Sequence, residues 1–500
     1  MAETSEYLLP AGADLAAARA ALAPEFVLEA EPSVAVARTY YDTFDGRLHA
    51  AGLTLVGQDG RLVLQDGGAA EVADGSMPDG DGRVFADDLD GPLRATLADV
   101  LEMRAARPVA SVSGRVTPMR ALNDDDKTVV RLALEESVLV GGEPLRPRLW
   151  VRPVRGYDGE LRRVTGTLER DLELEPADTP LRDEAIVAAG GTPDGVSSKL
   201  RLTLRTDERA DHAATVLLRT LLETIERNLP GAIDDVDSEF LHDLRVAVRR
   251  SRSAQRQLKR VFPPEPLAHF REEFKRLQQI TGAVRDLDVY LMDLGDAGED
   301  LEPLRRLLLE HRKRERTRMV RLLESARTRN LLTEWAAFLD GLVASPEDDR
   351  PAAASPVVDV AGNRIAKVYR RMVRDGSAID DNSPAEDLHD LRKTGKELRY
   401  LLEFFSSLFP GKVVKPMVKS LKALQDTLGE HQDRAVQVEM LRSLRDELAA
   451  QHNGPAALMA VGSLIDRLTA EQAEARSEFA SRFADFSSSK QRNVVKKTFR

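Results

Sequence analysis

The 500-residue sequence contains no cysteine. That excludes a disulfide scaffold, a thiolate zinc site and a thiol nucleophile. Aromatic residues make up only 5 %, with 2 Trp, 7 Tyr and 15 Phe, so a surface built to stack nucleobases has few rings to work with. No apolar run approaches the roughly 18–20 residues needed to cross a bilayer. The opening segment MAETSEYLLPAGADL has neither a basic region nor a continuous apolar stretch, so it does not read as a signal peptide and cytoplasm is the expected compartment. Charge, by contrast, is plentiful: 31 % charged residues beside 42 % hydrophobic ones exclude a wholly disordered or fibrous chain. The length predicts two to four domains at roughly 100–200 residues each.

The formal net charge of -11 argues against a polyanionic partner only until it is divided. Residues 1–200 carry 21 Lys and Arg against 35 Asp and Glu, a net of −14, which leaves 51 against 48, a net of +3, for residues 201–500. Gly, Pro and Ser punctuate the chain at IVAAGGTPDGVSSKL (186–200) and again at ASPEDDRPAAASP (344–356). The expected organisation is therefore a domain over 1–185, a linker over 186–200, and a helical domain over 201–488. The helical domain would divide at 344–356 into units of about 205–343 and 357–487, followed by a basic tail over 489–500 that is expected to fray.

Alternation and turn signals dominate the first part. Arg38–Thr43, Leu53–Val56, Arg61–Leu64, Val109–Val116, Lys127–Leu134 and Leu149–Val154 read as strands, with Asp59-Gly60 as a hairpin turn. Leu93–Arg104 has helical spacing behind Pro92. An α+β unit of mostly antiparallel strands follows. Tyr40-Tyr41-Asp42-Thr43 and the AAGLTL segment at 50–55 resemble the CYTH family over about residues 1–180. The resemblance implies a closed β-tunnel that binds triphosphate, with Mg²⁺ or Mn²⁺ required only if that domain is active. The sequence departs from the family pattern where chemistry resides. Glu6-Tyr7-Leu8-Leu9-Pro10 lacks the alternating acidic motif, and Arg148-Leu149-Trp150-Val151-Arg152 stands where a Glu-x-Glu strand is expected. Glu169, Asp171, Glu173 and Glu175 alternate and would share a face on a strand, but a solvated acidic run is the expected reading. The tunnel is expected to be catalytically degenerate, with no catalytic residue and no metal ligand assigned.

The second part repeats itself. LHDLR at 241–245 recurs at 388–392, and the same 147-residue offset relates Arg249 to Lys396, Arg252 to Arg399, Phe262-Pro263 to Phe409-Pro410, Leu277-Gln278 to Leu424-Gln425, Gly282 to Gly429 and Asp286 to Asp433. Each copy shows amphipathic helices, which predicts two pseudo-symmetric bundles of about four helices. At about 100° per residue, His242, Arg245, Arg249, Arg252 and Arg256 fall within roughly 80° of arc. His389, Arg392, Lys396 and Arg399 occupy the same arc in the second copy. Cations stacked this way repel one another, and guanidinium groups are suited to forking onto phosphate oxygens. Further basic faces lie in Leu309–Arg321, which supplies Arg312 and Arg316, and on the helix carrying Lys415, Lys419 and Lys422. The two histidines have no second ligand at metal spacing, so zinc is not expected.

HDLRVAVRRSRS at 242–253, HDLRKTGKELRY at 389–400 and the LQxxxGxxxD segments at 277–286 and 424–433 resemble the CHAD family from about residue 205 to 485. That resemblance implies two four-helix bundles binding inorganic polyphosphate in a basic groove. The family's positions carry over to His242, Arg245, Arg249, Arg252, His389, Arg392, Lys393, Lys396 and Arg399. Arg250 corresponds to Glu397, so the two sides of the groove are expected to differ. The expected function is polyphosphate binding, localising or regulatory at polyphosphate granules and open to other granule proteins. The alternatives are a metal-dependent triphosphatase in the first domain and a helical protein-interaction module. Nucleic acid is not expected as a specific ligand, and no membrane association is expected.

Overall fold

The computed structural model describes residues 5–9, 16, 20, 23, 26–67, 70–295, 298–380 and 382–499. These form two compact units, which meet in sequence between Ser197 and Ser198.

The first unit is a ten-stranded antiparallel sheet made from β1 (Ser5–Leu8), β2 (Val27–Ala30), β3 (Val34–Asp42), β4 (Leu53–Gln58), β5 (Arg61–Asp66), β6 (Glu71–Ser76), β7 (Arg107–Leu122), β8 (Thr128–Leu139), β9 (Arg148–Pro153) and β10 (Glu175–Pro176). Its order is β10-β1-β9-β8-β7-β3-β4-β5-β6, and β2 pairs beside β3 on the 16-residue β7. Among the described residues no ladder joins β6 to β10, so the expected closure into a tunnel does not appear in the pairing. Asp59 and Gly60 both have positive φ, 51° and 75°, the geometry a two-residue hairpin needs to follow strand twist. Helix α1 (Arg47–Ala50) is held by Asp42, whose carboxylate accepts the backbone N–H groups of Leu48 and His49. Helices α2 (Gly91–Leu101), α3 (Asp158–Asp171) and α4 (Leu181–Ala188) each bury an apolar stripe, such as Leu93, Leu97 and Leu101 on α2. The acidic alternation at 169–175 is not a strand: Glu169 and Asp171 end α3, Glu173 turns with φ 50°, and only Glu175 enters β10. The helical stripe of Leu161, Val164 and Leu168 outweighs the period-two pattern of the acids.

The register places Glu6 beside Trp150 and Glu135 beside Arg148 on one face of the sheet. Glu135 is buried and accepts from Arg38 Nη1 at 2.5 Å, Trp150 Nε1 at 3.0 Å and Ser137 Oγ at 3.1 Å. The Arg148 guanidinium, also buried, donates to Glu6 at 2.5 Å and to Glu184. These carboxylates are the oxygen ligands Mg²⁺ or Mn²⁺ would require, and each is already engaged by an arginine. Among the described residues no group of three His, Asp or Glu side chains is placed to hold a metal, so the residues present do not fit a two-metal centre.

The second unit is helical. The first copy contains α5 (Ala210–Asp234), α6 (Ser238–Gln257), α7 (Pro264–Ile280), α8 (Gly282–Leu294), α9 (Glu302–Leu323) and α10 (Ala326–Leu342). The second contains α11 (Val357–Gly376), α12 (Ala385–Phe404), α13 (Gly411–Ser443), α14 (Arg445–Ala449), α15 (Gly454–Phe486) and α16 (Ser489–Thr498). Each copy thus has more helices than the four expected. Ser325 caps α10 directly after the long charged helix α9 ends, and α7 with α8 is a broken version of the continuous α13. The scarce aromatics concentrate in the two cores. Trp335 packs against Phe270 and Phe274 with ring centroids 4.7 and 5.3 Å apart, and Tyr369, Phe479, Phe483 and Phe486 form the counterpart. The segment 344–356 is folded onto the start of α5: Arg350 is fully buried, ion-paired with Asp211 at 3.4 Å, and Ala353 O accepts from Asp211 N. The basic end is likewise ordered. It forms α16, anchored by buried Val495 and by Phe499, whose ring lies 4.7 Å from Phe409. No helix of the described residues is long and apolar enough to cross a membrane.

Two ion pairs join the copies at α6 and α12. Arg250 donates to Glu403 at 2.8 Å, and Arg256 lies 2.5 Å from Glu397. The repeat offset makes Arg250 equivalent to Glu397 and Arg256 equivalent to Glu403. The same contact is therefore made twice about a pseudo-dyad with its charges exchanged. Glu397 is also bound by Gln257 at 2.9 Å and by Arg371 of α11. Arg250→Glu should cost about 1–3 kcal/mol in urea unfolding, and adding Glu403→Arg should recover most of it. Additive losses in that double-mutant cycle would contradict the pairing.

Candidate functional site

The helices that carry the two LHDLR segments are started by local chemistry. Asp237 caps α6 by accepting the N–H groups of Glu239 and Phe240 at 2.9 and 3.2 Å, and α12 follows Pro384 with Glu386 and Asp387 in its first turn. Leu241, Leu244 and Val248 on α6, and Leu388, Leu391 and Leu398 on α12, are buried. Burying those leucines turns the cationic arc of each helix away from its own core.

Along that arc the arginines are held in different ways. Arg245 reaches the break between α7 and α8, where its Nη1 donates to Gln278 O and Thr281 Oγ1, both at 3.0 Å. Its equivalent Arg392 crosses the unbroken α13 and donates to both carboxylate oxygens of Asp433 at 3.0 and 3.2 Å. Both guanidinium groups lie against a glycine, Gly282 and Gly429, at 3.7 and 3.5 Å from the position a Cβ would take. Arg252 Nη1 donates to Gln278 Oε1 at 2.6 Å. Arg399 lies 3.5 Å from Glu403 and, like Arg250, stacks over the Tyr400 ring.

Arg249 and Lys396 are the equivalent positions of the two copies, and they are electrostatic neighbours. Neither makes an ion pair with a carboxylate among the described residues, and Arg249 Nε is buried without a hydrogen-bond partner. Arg249, Arg392 and Arg399 all act on the Lys396 ammonium, and Asp433 opposes them. Burial and these cations push Lys396 down to about 7. Burial also lowers Arg245, with Asp286 opposing and Arg249 and Arg285 adding to the effect, and lowers Arg252, with Arg256 and Arg271 adding and Glu272 opposing. Burial, assisted by Lys393 and Arg392 and opposed by Asp390, lowers His389 from its usual value, which favours the neutral imidazole as a hydrogen-bonding group. His242 occupies the equivalent place on α6.

The remaining sequence-predicted residues are placed otherwise. Lys393 is exposed and pairs with Asp390 at 2.9 Å. Lys415, Lys419 and Lys422 are exposed on α13, with no ion pair among the described residues. Arg256 belongs to the inter-copy ion pair. Arg312 donates to both oxygens of Asp235 at 2.6 and 2.8 Å and to Asp288 at 2.5 Å, while Arg316 reaches Asp235 and Ile233 O. These two arginines are neutralised within the fold and are not brought to the α6–α12 crossing by any contact. Gln278 and Thr281, which orient Arg245 and Arg252, lie in the LQxxxGxxxD segment and were not singled out from the sequence; the repeated Leu-Gln pair is the signal that could have marked Gln278.

Half-buried cations with lowered protonation constants destabilise the fold that holds them. Between its folded value of about 7 and its ordinary value of about 10.5, Lys396 binds fewer protons in the folded chain than in the unfolded one. The penalty is thus absent above about pH 10.5, grows as pH falls, and is complete below about pH 7. Lys396→Gln should raise the thermal unfolding midpoint, by more at pH 6 than at pH 9. An unchanged or lower midpoint at pH 6 would refute the repulsion.

Comparison with known proteins bears on the same helices. A family model described as the CHAD domain matches residues 216–442. An uncharacterized protein of Mycobacterium tuberculosis, named MT2285 in strain CDC 1551 / Oshkosh and Rv2226 in strain H37Rv, is 27% identical over 319 residues, which is 57% of this chain. The chain spans 59% of the length of those relatives. Among solved structures, the crystal structure of the CHAD domain from the plant Ricinus communis is similar with a TM-score of 0.50 and 28% identity, covering 58% of this chain and 96% of that one. The matched span contains α6, α8, α12 and the pairs described above, and residues 216–442 of this protein are a CHAD domain.

Proposed function

We propose that the helical unit binds inorganic polyphosphate in a basic groove along the α6–α12 crossing. Arg249 and Lys396 form its centre, Arg245, Arg252, Arg392 and Arg399 flank them, and His242 and His389 lie toward the helix starts. The observation that carries this reading is that Arg249 and Lys396, equivalent positions of the two copies, are electrostatic neighbours, neither of them in a close ion pair with a carboxylate among the described residues. Arg312, Arg148 and Arg350 show that this fold pairs buried guanidinium groups with acids elsewhere, so unneutralised cations at this crossing are complementary to an anion that arrives from outside. The CHAD family's link to polyphosphate supports a linear phosphate polymer as that anion. Lys393, Lys415, Lys419 and Lys422 extend the reading as peripheral contacts and Arg256 as a buttress, while Arg312 and Arg316 are left out of it. Binding of this kind would serve a localising or regulatory role at polyphosphate granules.

Binding of long-chain polyphosphate should weaken steeply with salt, because each phosphate contacted releases counterions. Arg249→Gln with Lys396→Gln should lower affinity at least tenfold and flatten the log–log salt slope by about 1–2, while raising the unfolding midpoint. Arg155→Glu with Arg162→Glu, two exposed positions in the sheet unit, should change neither. Equal losses from both pairs would remove the groove assignment. Failure of the unaltered protein to bind at low salt would favour a protein-interaction module.

A further inference from the structure

We propose that the α6–α12 crossing takes up a proton when it binds a polyanion, and that Lys396 is the group that receives it. This rests on the polyphosphate reading above and adds a coupling between occupancy and pH.

The copies place an arginine at one side of the pseudo-dyad and a lysine at the other, Arg249 and Lys396. Guanidinium keeps its proton throughout the physiological range, whereas an ammonium in a crowded, half-buried place gives its proton up. The charged groups that act most on Lys396, which is half-buried on α12, are Arg392 and Arg399 on its own helix, Arg249 on α6 and Asp433 on α13, with Asp286 of α8 adjoining Asp433. Asp433 is already engaged by Arg392, so three cations act on the ammonium and the carboxylate that opposes them is shared. An unliganded Lys396 is consequently about half neutral at pH 7 and nine-tenths neutral at pH 8, given its value of about 7. A row of phosphate oxygens laid across the crossing supplies the counter-charge that the fold withholds, and the ammonium form is restored. Proton uptake should therefore approach about 0.9 per bound site at pH 8.

The sign follows directly. Affinity is highest where Lys396 is already charged, below about pH 7, and falls as pH rises, because each binding event must draw a proton from an increasingly alkaline solution. Between pH 8 and 9 the loss should be about eightfold per unit. The internal phosphates of a long chain are fully ionised throughout, so the ligand contributes little to the slope.

The test is isothermal titration of the full chain with long-chain sodium polyphosphate at pH 8. Two buffers of different ionisation enthalpy, matched in ionic strength, are compared, and the affinity is then followed from pH 6 to 9. The expected result is a buffer-dependent heat corresponding to nearly one proton, with the predicted fall in affinity. Lys396→Arg should bind with neither the buffer dependence nor the slope, and His389→Asn should retain both. Tight binding with a flat pH profile and no proton uptake would overturn this inference and leave the polyphosphate reading intact. Loss of the uptake in His389→Asn would reassign the proton to the histidine and also overturn it. Absence of binding at every pH would instead remove the reading on which it rests.

Discussion

The pair of charge-exchanged contacts between α6 and α12 is the constraint from which the rest of the helical unit follows. Arg250 with Glu403 and Arg256 with Glu397 fix how the two cationic helices cross. With the helices so held, Arg249 acts on Lys396 across the pseudo-dyad, and Arg392 and Arg399 add their charge to it. Glu397 does more than pair with Arg256. By also binding Gln257 and Arg371 it ties three helices from both copies together, and it does so from a buried position where an unpaired acid would be costly.

The distribution of neutralised and unneutralised cations separates architecture from function. In the sheet unit the buried arginines Arg148 and Arg182 are each met by acids, Glu6 and Glu184 for the first and Asp42 for the second. On α9, Arg312 is met by two. At the crossing, Arg245 and Arg252 donate to neutral acceptors, Gln278 and Thr281, while Asp286 and Glu272 act on them without a close ion pair among the described residues. Neutral orientation of a cation is what a site for an external anion requires.

Much of this was legible in the sequence where local physics decides the outcome. The 147-residue repeat, the helical stripes and the Asp59-Gly60 hairpin all appear in the structure because turn chemistry and apolar periodicity operate over a few residues. The cationic arc was legible for the same reason. What the sequence did not disclose depends on contacts between distant segments. Arg312 and Arg316 look as basic as Arg249 until Asp235 and Asp288 arrive from other helices. The difference between Arg250 and Glu397 announced an asymmetry without revealing that the pseudo-dyad turns it into an attraction. The acids at 169–175 alternate as a strand would, yet Leu161, Val164 and Leu168 bury a helical face, and burial of leucine outweighs the spacing of exposed carboxylates. The basic end was expected to fray because its charges are conspicuous and Phe499, which holds it against Phe409, is a single ring.

The break between α7 and α8, absent from the equivalent α13, carries a consequence for ancestry and assembly. Two identical subunits about a true twofold axis must place the same residue on both sides of it, and the same bend in both helices. Such a dimer would set Arg250 against a second arginine, or Glu397 against a second glutamate, and would have either two arginines or two lysines at its centre. Joining the copies in one polypeptide releases each side to diverge. One helix is free to break at Thr281 and offer carbonyl oxygen to Arg245, while the other stays whole and offers Asp433 to Arg392. The covalent tandem is thus the condition under which a symmetric scaffold acquires a surface with two unlike walls.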